Sequence, residues 1–122
     1  MKKVLIVDDE PNIIMSLEFL IKKSGYEVFI ARDGSEALMA VDSNEPDVVI
    51  LDIMMPKVDG YEVCDYIKNH RKLAAKVIFL SAKGKESDIE KGYAAGADFY
   101  MTKPFSTKKL VNKVNELMNL TS

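Results

Sequence analysis

Tryptophan is missing from this sequence, and cysteine and histidine occur once each. A lone thiol, Cys64, cannot close a disulfide framework, and Cys64 with His70 falls short of the ligand set zinc needs. Cys64 lies inside a helical pattern and reads as a buried structural thiol. His70, beside Asn69, Arg71 and Lys72 near a helix end, reads as exposed. An excess of one charge is also lacking, since seventeen Lys and Arg stand against nineteen Asp and Glu, for a net charge of -2. No global field draws the chain to nucleic acid or to an acidic bilayer. The cluster Lys83, Lys85 and Lys91 has no interleaved aromatics for base stacking, so it reads as a solvated face. Neither direct nucleic-acid binding nor membrane association is expected. No apolar run approaches the length of a bilayer span and no charged-then-apolar leader opens the sequence, which makes a cytoplasmic location the expectation. Linkers, low-complexity stretches and internal repeats are not visible. At 122 residues, 48% of them hydrophobic, the sequence reads as one domain over 1–122 with a real core.

What the sequence does have is four short apolar runs, each stopping at a polar residue that phosphoryl chemistry uses. The run VLIV at 4–7 stops at Asp8 and Asp9, VVIL at 48–51 at Asp52, VIFL at 77–80 at Ser81, and FYMT at 99–102 at Lys103. Unbroken runs of this length, rich in Val and Ile and separated by helical patterns, predict parallel strands covered on both faces. A shorter strand is expected at 27–31. Helical spacing predicts a helix over 10–24, with Gly25 as its left-handed cap, and a second after Asp33 and Gly34 with Ala37, Leu38 and Val41 inward. After a stiff loop at 53–60 comes a third, with Val63, Cys64 and Ile67 inward. A C-terminal helix is striped by Leu110, Val111, Val114, Leu117 and Met118 and can be capped by Ser106. The helix at 86–95 has the weakest stripe, and Gly92 and Gly96 lower its intrinsic stability, so it is expected to be the most mobile. Five repeats of strand then helix, joined by right-handed crossovers, give a doubly wound α/β domain with helices on both faces of a parallel sheet.

Parallel strands point one way, so the residues past their ends meet on one edge of the sheet, where open α/β folds bind ligands. Asp8, Asp9 and Asp52 would repel one another there unless a cation joined them, and hard oxygen donors suit Mg2+ and no soft metal. Lys103 brings a movable positive charge and Ser81 a hydroxyl donor. A carboxylate in such a place can be a nucleophile that forms an aspartyl phosphate. Asp52, the single acid after the central run, is the candidate, whereas the pair Asp8 and Asp9 is better read as metal ligands. A single Asp at a strand end is commonly a cap or turn residue. That explanation does not suffice for five such polar residues together.

The segments that carry this pattern are Val7-Asp8-Asp9-Glu10, Leu51-Asp52-Ile53-Met54-Met55-Pro56 followed by Asp59-Gly60, Leu80-Ser81-Ala82, and Gly96-Ala97-Asp98 followed by Lys103-Pro104-Phe105. Together they resemble the receiver domain of two-component response regulators, in order and over the whole chain. The resemblance implies a strand order of 2-1-3-4-5. It implies that Asp52 is the phosphoacceptor, taking its phosphoryl group from a phosphohistidine on a sensor histidine kinase or phosphotransfer protein. Asp8 and Asp9, with Asp52 and the backbone carbonyl of Met54, would hold Mg2+. Ser81 would be the switch hydroxyl, Lys103 the lysine on the phosphoryl oxygens, and Tyr100 the aromatic that turns inward when the hydroxyl moves. The bond between Lys103 and Pro104 would be cis. Such a protein catalyses its own phosphorylation and slow dephosphorylation and signals to a downstream protein or output domain through its fourth helix, fifth strand and last helix.

A weak or phosphorylation-dependent homodimer belongs to the same expectation, with one departure. Receivers of the winged-helix transcription-factor type carry acidic residues after Gly-Ala-Asp and a matching Arg on the last helix. Here those places hold Phe99 and Tyr100, and Lys108, Lys109 and Lys113, which does not support that charged dimer. A metal-dependent phosphatase with an aspartyl nucleophile is the alternative from another class, but it needs a second acid where this sequence has Met54. A degenerate receiver used only for docking is opposed by the complete acidic set. Met54 and Met55 are left as either loop packing or a partner surface.

Overall fold

The computed structural model describes residues 1–120, so the last two residues of the expected 1–122 domain lie outside the described residues. Among the described residues, the strands are β1 (Lys3–Val7), β2 (Glu27–Ala31), β3 (Val48–Leu51), β4 (Lys76–Ser81) and β5 (Phe99–Thr102). All pair in parallel, in the order β2-β1-β3-β4-β5. Helices α1 (Pro11–Lys23), α2 (Gly34–Asn44), α3 (Gly60–Asp65), α4 (Glu86–Ala94) and α5 (Thr107–Met118) alternate with them.

The apolar runs are continuous because both faces of the sheet are covered. Leu5, Val7, Val49, Leu51, Val77 and Phe79 point to one layer, where they meet Ala37, Val41, Val63, Cys64 and Ile67. Val4, Ile6, Val48, Ile50, Ile78 and Leu80 point to the other, against Leu17 and Ile21 of α1 and Leu110, Val114 and Leu117 of α5. Local chemistry sets the helix ends. Asp33, Asp59 and Ser106 each accept a hydrogen bond from a backbone N–H three residues on, capping α2, α3 and α5. Gly25 adopts φ +96°, the left-handed conformation that ends α1.

Two elements carry features that bear on the site. Helix α3 continues into a π-helical turn, Tyr66–His70, which keeps Ile67 buried alongside Val63 and Cys64. A regular 3.6-residue period does not anticipate that widened turn. Helix α4 has Gly92 as its buried residue, with Ile89 only partly packed against the core. No helix of the described residues is long and apolar enough to cross a membrane.

Candidate functional site

Strand register brings the polar run ends together. Val7 stands opposite Leu51, so Asp8 and Asp52 follow side by side at the ends of β1 and β3. The Asp52 N–H donates to the Val7 carbonyl at 2.9 Å, which carries the sheet ladder one step past the strand. Both side chains are sunk into the edge, Asp8 at 1% and Asp52 at 5% exposure. On the far side of β4, Ser81 stands opposite Thr102, and the Lys103 N–H donates to the Ser81 carbonyl at 2.8 Å. The following peptide, Lys103–Pro104, is cis.

Lys103 ties the edge together. Its Nζ lies 3.0 Å from Asp8 Oδ2, 2.9 Å from Glu10 Oε1 and 3.6 Å from Asp52 Oδ2. Burial alone would lower its pKa, but the pull of Glu10, Asp8 and Asp52 outweighs that and leaves it raised. For Asp52 the balance goes the other way. Burial is the largest influence, with the Asp8 charge adding to it, and together they exceed the help from Lys103 and the backbone N–H groups of Met54 and Ile53. Its pKa stands raised, at about 6.

The tight acidic group is Asp8, Asp9 and Glu10, each offering a carboxylate oxygen within 4.8 Å of the others. Asp52 joins it through the shared Lys103 rather than as a member. This donor set is all carboxylate, with Asp8 buried and the other two exposed, and it fits a hard divalent cation that keeps some of its waters. Glu10 is the residue the sequence reading missed as a site member. The signal that could have found it is its place as the third acid in a row after an apolar run. Its N–H donates to Asp8 Oδ1 at 2.9 Å and its carboxylate holds Lys103.

The loop after β3 frames Asp52. The Met54 N–H donates to Asp52 Oδ1 at 3.3 Å, while the Met54 side chain is 58% exposed and Met55 packs against the core. The Gly60 N–H closes the loop onto the Ile53 carbonyl at 3.0 Å, and a Cβ at Gly60 would collide with the Asp52 carbonyl. The loop therefore needs glycine there to reach its closed form.

Ser81 and Tyr100 hold the same residue from two sides. Ser81, fully buried, accepts from the Lys83 N–H at 3.2 Å, and the Tyr100 hydroxyl donates to the Lys83 carbonyl at 2.6 Å. Tyr100 is already inward in this structure, at 7% exposure.

Residues set apart from the site behave as their chemistry dictates. Cys64 is buried, its Sγ donates to the Ala95 carbonyl, and burial pushes its pKa up to about 11, which leaves it unreactive. His70 stacks on Tyr66. Lys91 is more than a solvated charge, because its Nζ lies 4.3 Å from the Tyr61 ring centroid. Phe99, in the place of the acidic dimer residues, lies beneath Lys113, which also pairs with Glu116.

A doubly wound sheet of this order, with acids, a hydroxyl and a lysine on one carboxyl-terminal edge, defines a class, and comparison with known proteins agrees. The family model described as "Response regulator receiver domain" matches residues 4–115, and the chain belongs to that family. Among curated proteins it is 43% identical over 117 residues to the alkaline phosphatase synthesis transcriptional regulatory protein PhoP of Bacillus subtilis (strain 168). That match covers 96% of this chain and 48% of the relative, so the chain spans about half the relative's length. Among solved structures, the Francisella response regulator 1452 receiver domain superposes with a TM-score of 0.93 at 34% identity, covering 100% of both chains. The Vibrio cholerae chemotaxis protein CheY4 superposes at 0.87 with 30% identity, covering 96% of this chain and 98% of that one.

Proposed function

We propose that this chain is one receiver domain over 1–122 that acts as a phosphorylation-controlled switch, with Asp52 as phosphoacceptor. The observation that supports it most is the placement of Asp52. It is a buried carboxylate at a central strand end, with an ammonium 3.6 Å away and a second buried acid beside it. Its raised pKa, about 6, leaves it ionised near neutral pH while the proton affinity of the oxygen stays high, which suits a nucleophile. An Asp52 oxygen would attack the phosphorus of a phosphohistidine on a sensor histidine kinase or phosphotransfer protein. The O–P bond forms as the P–N bond breaks, and the imidazole leaves. Lys103 would swing from Glu10 towards the new equatorial oxygens, whose charge it offsets. Asp8 and Asp9, with Asp52 and the Met54 carbonyl, would hold Mg2+, which supplies the remaining neutralisation on those oxygens.

The Ser81 hydroxyl would then turn to the phosphoryl group. Because it also holds the Lys83 N–H, that turn disturbs the residue whose carbonyl Tyr100 grips. The output would be read on α4, β5 and α5 by a downstream protein or a further domain; that the PhoP relative is a transcriptional regulatory protein about twice the length of this chain supports an output of that kind. A cytoplasmic location goes with this reading. So does the absence of direct nucleic-acid or membrane binding by this domain, and a phosphorylation-dependent homodimer stays compatible with it.

Incubation with acetyl phosphate and magnesium, followed by borohydride trapping and mass spectrometry, tests the assignment. The expected result is a single modified residue, Asp52. Equal labelling of an Asp52→Asn variant would sink it.

A further inference from the structure

Helix α4 meets the sheet through a residue with no side chain. A Cβ built on Gly92 would stand 2.7 Å from Tyr100 Cδ2, 3.0 Å from Tyr100 Cε2 and 3.2 Å from Phe79 Cδ2. Non-bonded carbons prefer about 3.5–4.0 Å, so the inward Tyr100 ring occupies the space that a side chain at position 92 would need. One residue earlier, Lys91 places its ammonium over Tyr61. Phe79 joins the two ends: its ring meets Tyr61 edge-on with centroids 5.6 Å apart, and Tyr100 with centroids 6.0 Å apart. Consecutive residues of α4 therefore rest on opposite ends of a three-ring row that crosses from α3 to β5. The Tyr61 hydroxyl is buried without a hydrogen-bond partner among the described residues, so packing and the Lys91 cation hold that ring in place.

We propose that Gly92 is a positioning residue of the switch: Tyr100 can lie inward beneath a seated α4 only because position 92 carries no Cβ. This rests on the reading of Tyr100 as the switching aromatic and adds the partner that sets where it can lie. Tyr100 in its inward place also holds the Lys83 carbonyl, so displacing the ring releases the loop after β4. The competing account, that Gly92 is merely a weak point in a helix, makes the opposite forecast. Alanine for glycine inside a helix stabilises it, by an amount that for a domain of this size raises the unfolding midpoint by about 4 °C.

Thermal unfolding of the parent, Gly92→Ala, Tyr100→Ala and the double variant separates the two accounts. Gly92→Ala should lower the midpoint in the parent and raise it in the Tyr100→Ala background. Fluorine NMR of fluorotyrosine-labelled protein, with the Tyr100 resonance assigned from Tyr100→Phe, supplies a readout that helix stability alone would not move. Gly92→Ala should shift that resonance towards its solvent-exposed position with and without beryllofluoride, while beryllofluoride still binds. A midpoint raised in both backgrounds, or a Tyr100 resonance left in place, overturns the proposal. If Gly92→Ala fails to fold, its rescue by Tyr100→Ala supports the steric pairing, and failure of both overturns it. The unfolding cycle needs no phosphoryl mimic, so a parent that ignores beryllofluoride would count against Asp52 as phosphoacceptor and leave the pairing to be judged by the cycle.

Discussion

Asp52 is held ionised at a cost, because burial and Asp8 oppose its charge more strongly than Lys103 supports it. Its pKa rises from 3.8 to about 6 on folding, so between those values the folded chain binds a proton that the unfolded chain has released. Stability then falls as pH rises through that window, and the penalty is complete above the folded pKa. Asparagine carries no such penalty. In the presence of chelator, Asp52→Asn should be more stable than the parent near neutral pH by on the order of 1–3 kcal/mol, with the gain fading to nothing near pH 4. Urea unfolding at a series of pH values measures it. A gain that does not change with pH would mean that something other than the buried charge is relieved. Asp8, Asp52, Ser81 and Lys103 were legible in the sequence because an apolar run ending in a polar residue is a one-dimensional signal. The hold of Lys103 on Glu10 was not, because the two are far apart in sequence and meet only through the strand order.

Helix α4 is the element whose own sequence supports it least, and the structure gives the reason in packing terms. Its seat on the sheet is a glycine, and its partly buried Ile89 is all that reaches the core from its first turns. An element with so little apolar burial opens at low cost, so a modest bias would be enough to move it. A charge-assisted hydrogen bond is worth about 1.5–3 kcal/mol, whereas inverting a 1:99 population takes about 5.5 kcal/mol, so in the switch proposed above Ser81 would need Lys103 or a partner to complete the shift. Amide exchange with and without beryllofluoride should therefore change most within 83–100. Ser81→Ala should still take up phosphate at Asp52 but lose most of that change. A largest change in 10–24 instead would move the output face to α1. The bounds expected for this helix, 86–95, and for the strand at 27–31 lie close to the observed ones, although the helix has the weakest apolar stripe of the five. The sequence did not show the π-helical turn at Tyr66–His70, where the Arg71 N–H reaches back five residues to the Tyr66 carbonyl, because a regular helical period carries no sign of such a widened turn.

For the whole molecule, the decisive fact is that β3 lies between β1 and β4. Sequence alternation predicts parallel strands with helices on both faces, but it does not say which strands are neighbours, and the order came from resemblance to a known family. That order decides whether Asp8 and Asp52 meet at all. With them abreast and Asp9 and Glu10 at the rim, negative charge is concentrated on one edge of a protein whose net charge is only -2. A divalent cation that binds the folded edge and not the unfolded chain must raise stability by mass action, by about 1.4 kcal/mol at ten times its dissociation constant. Thermal unfolding in chelator and in millimolar magnesium should show a midpoint higher by several degrees with the metal. Asp8→Asn removes one charge from the edge while keeping the shape of the side chain and one acceptor oxygen for the Glu10 N–H, so most of that gain should vanish in the variant. An equal gain in Asp8→Asn and parent would place the metal elsewhere, and no gain in either would mean that the acidic edge is balanced by Lys103 alone.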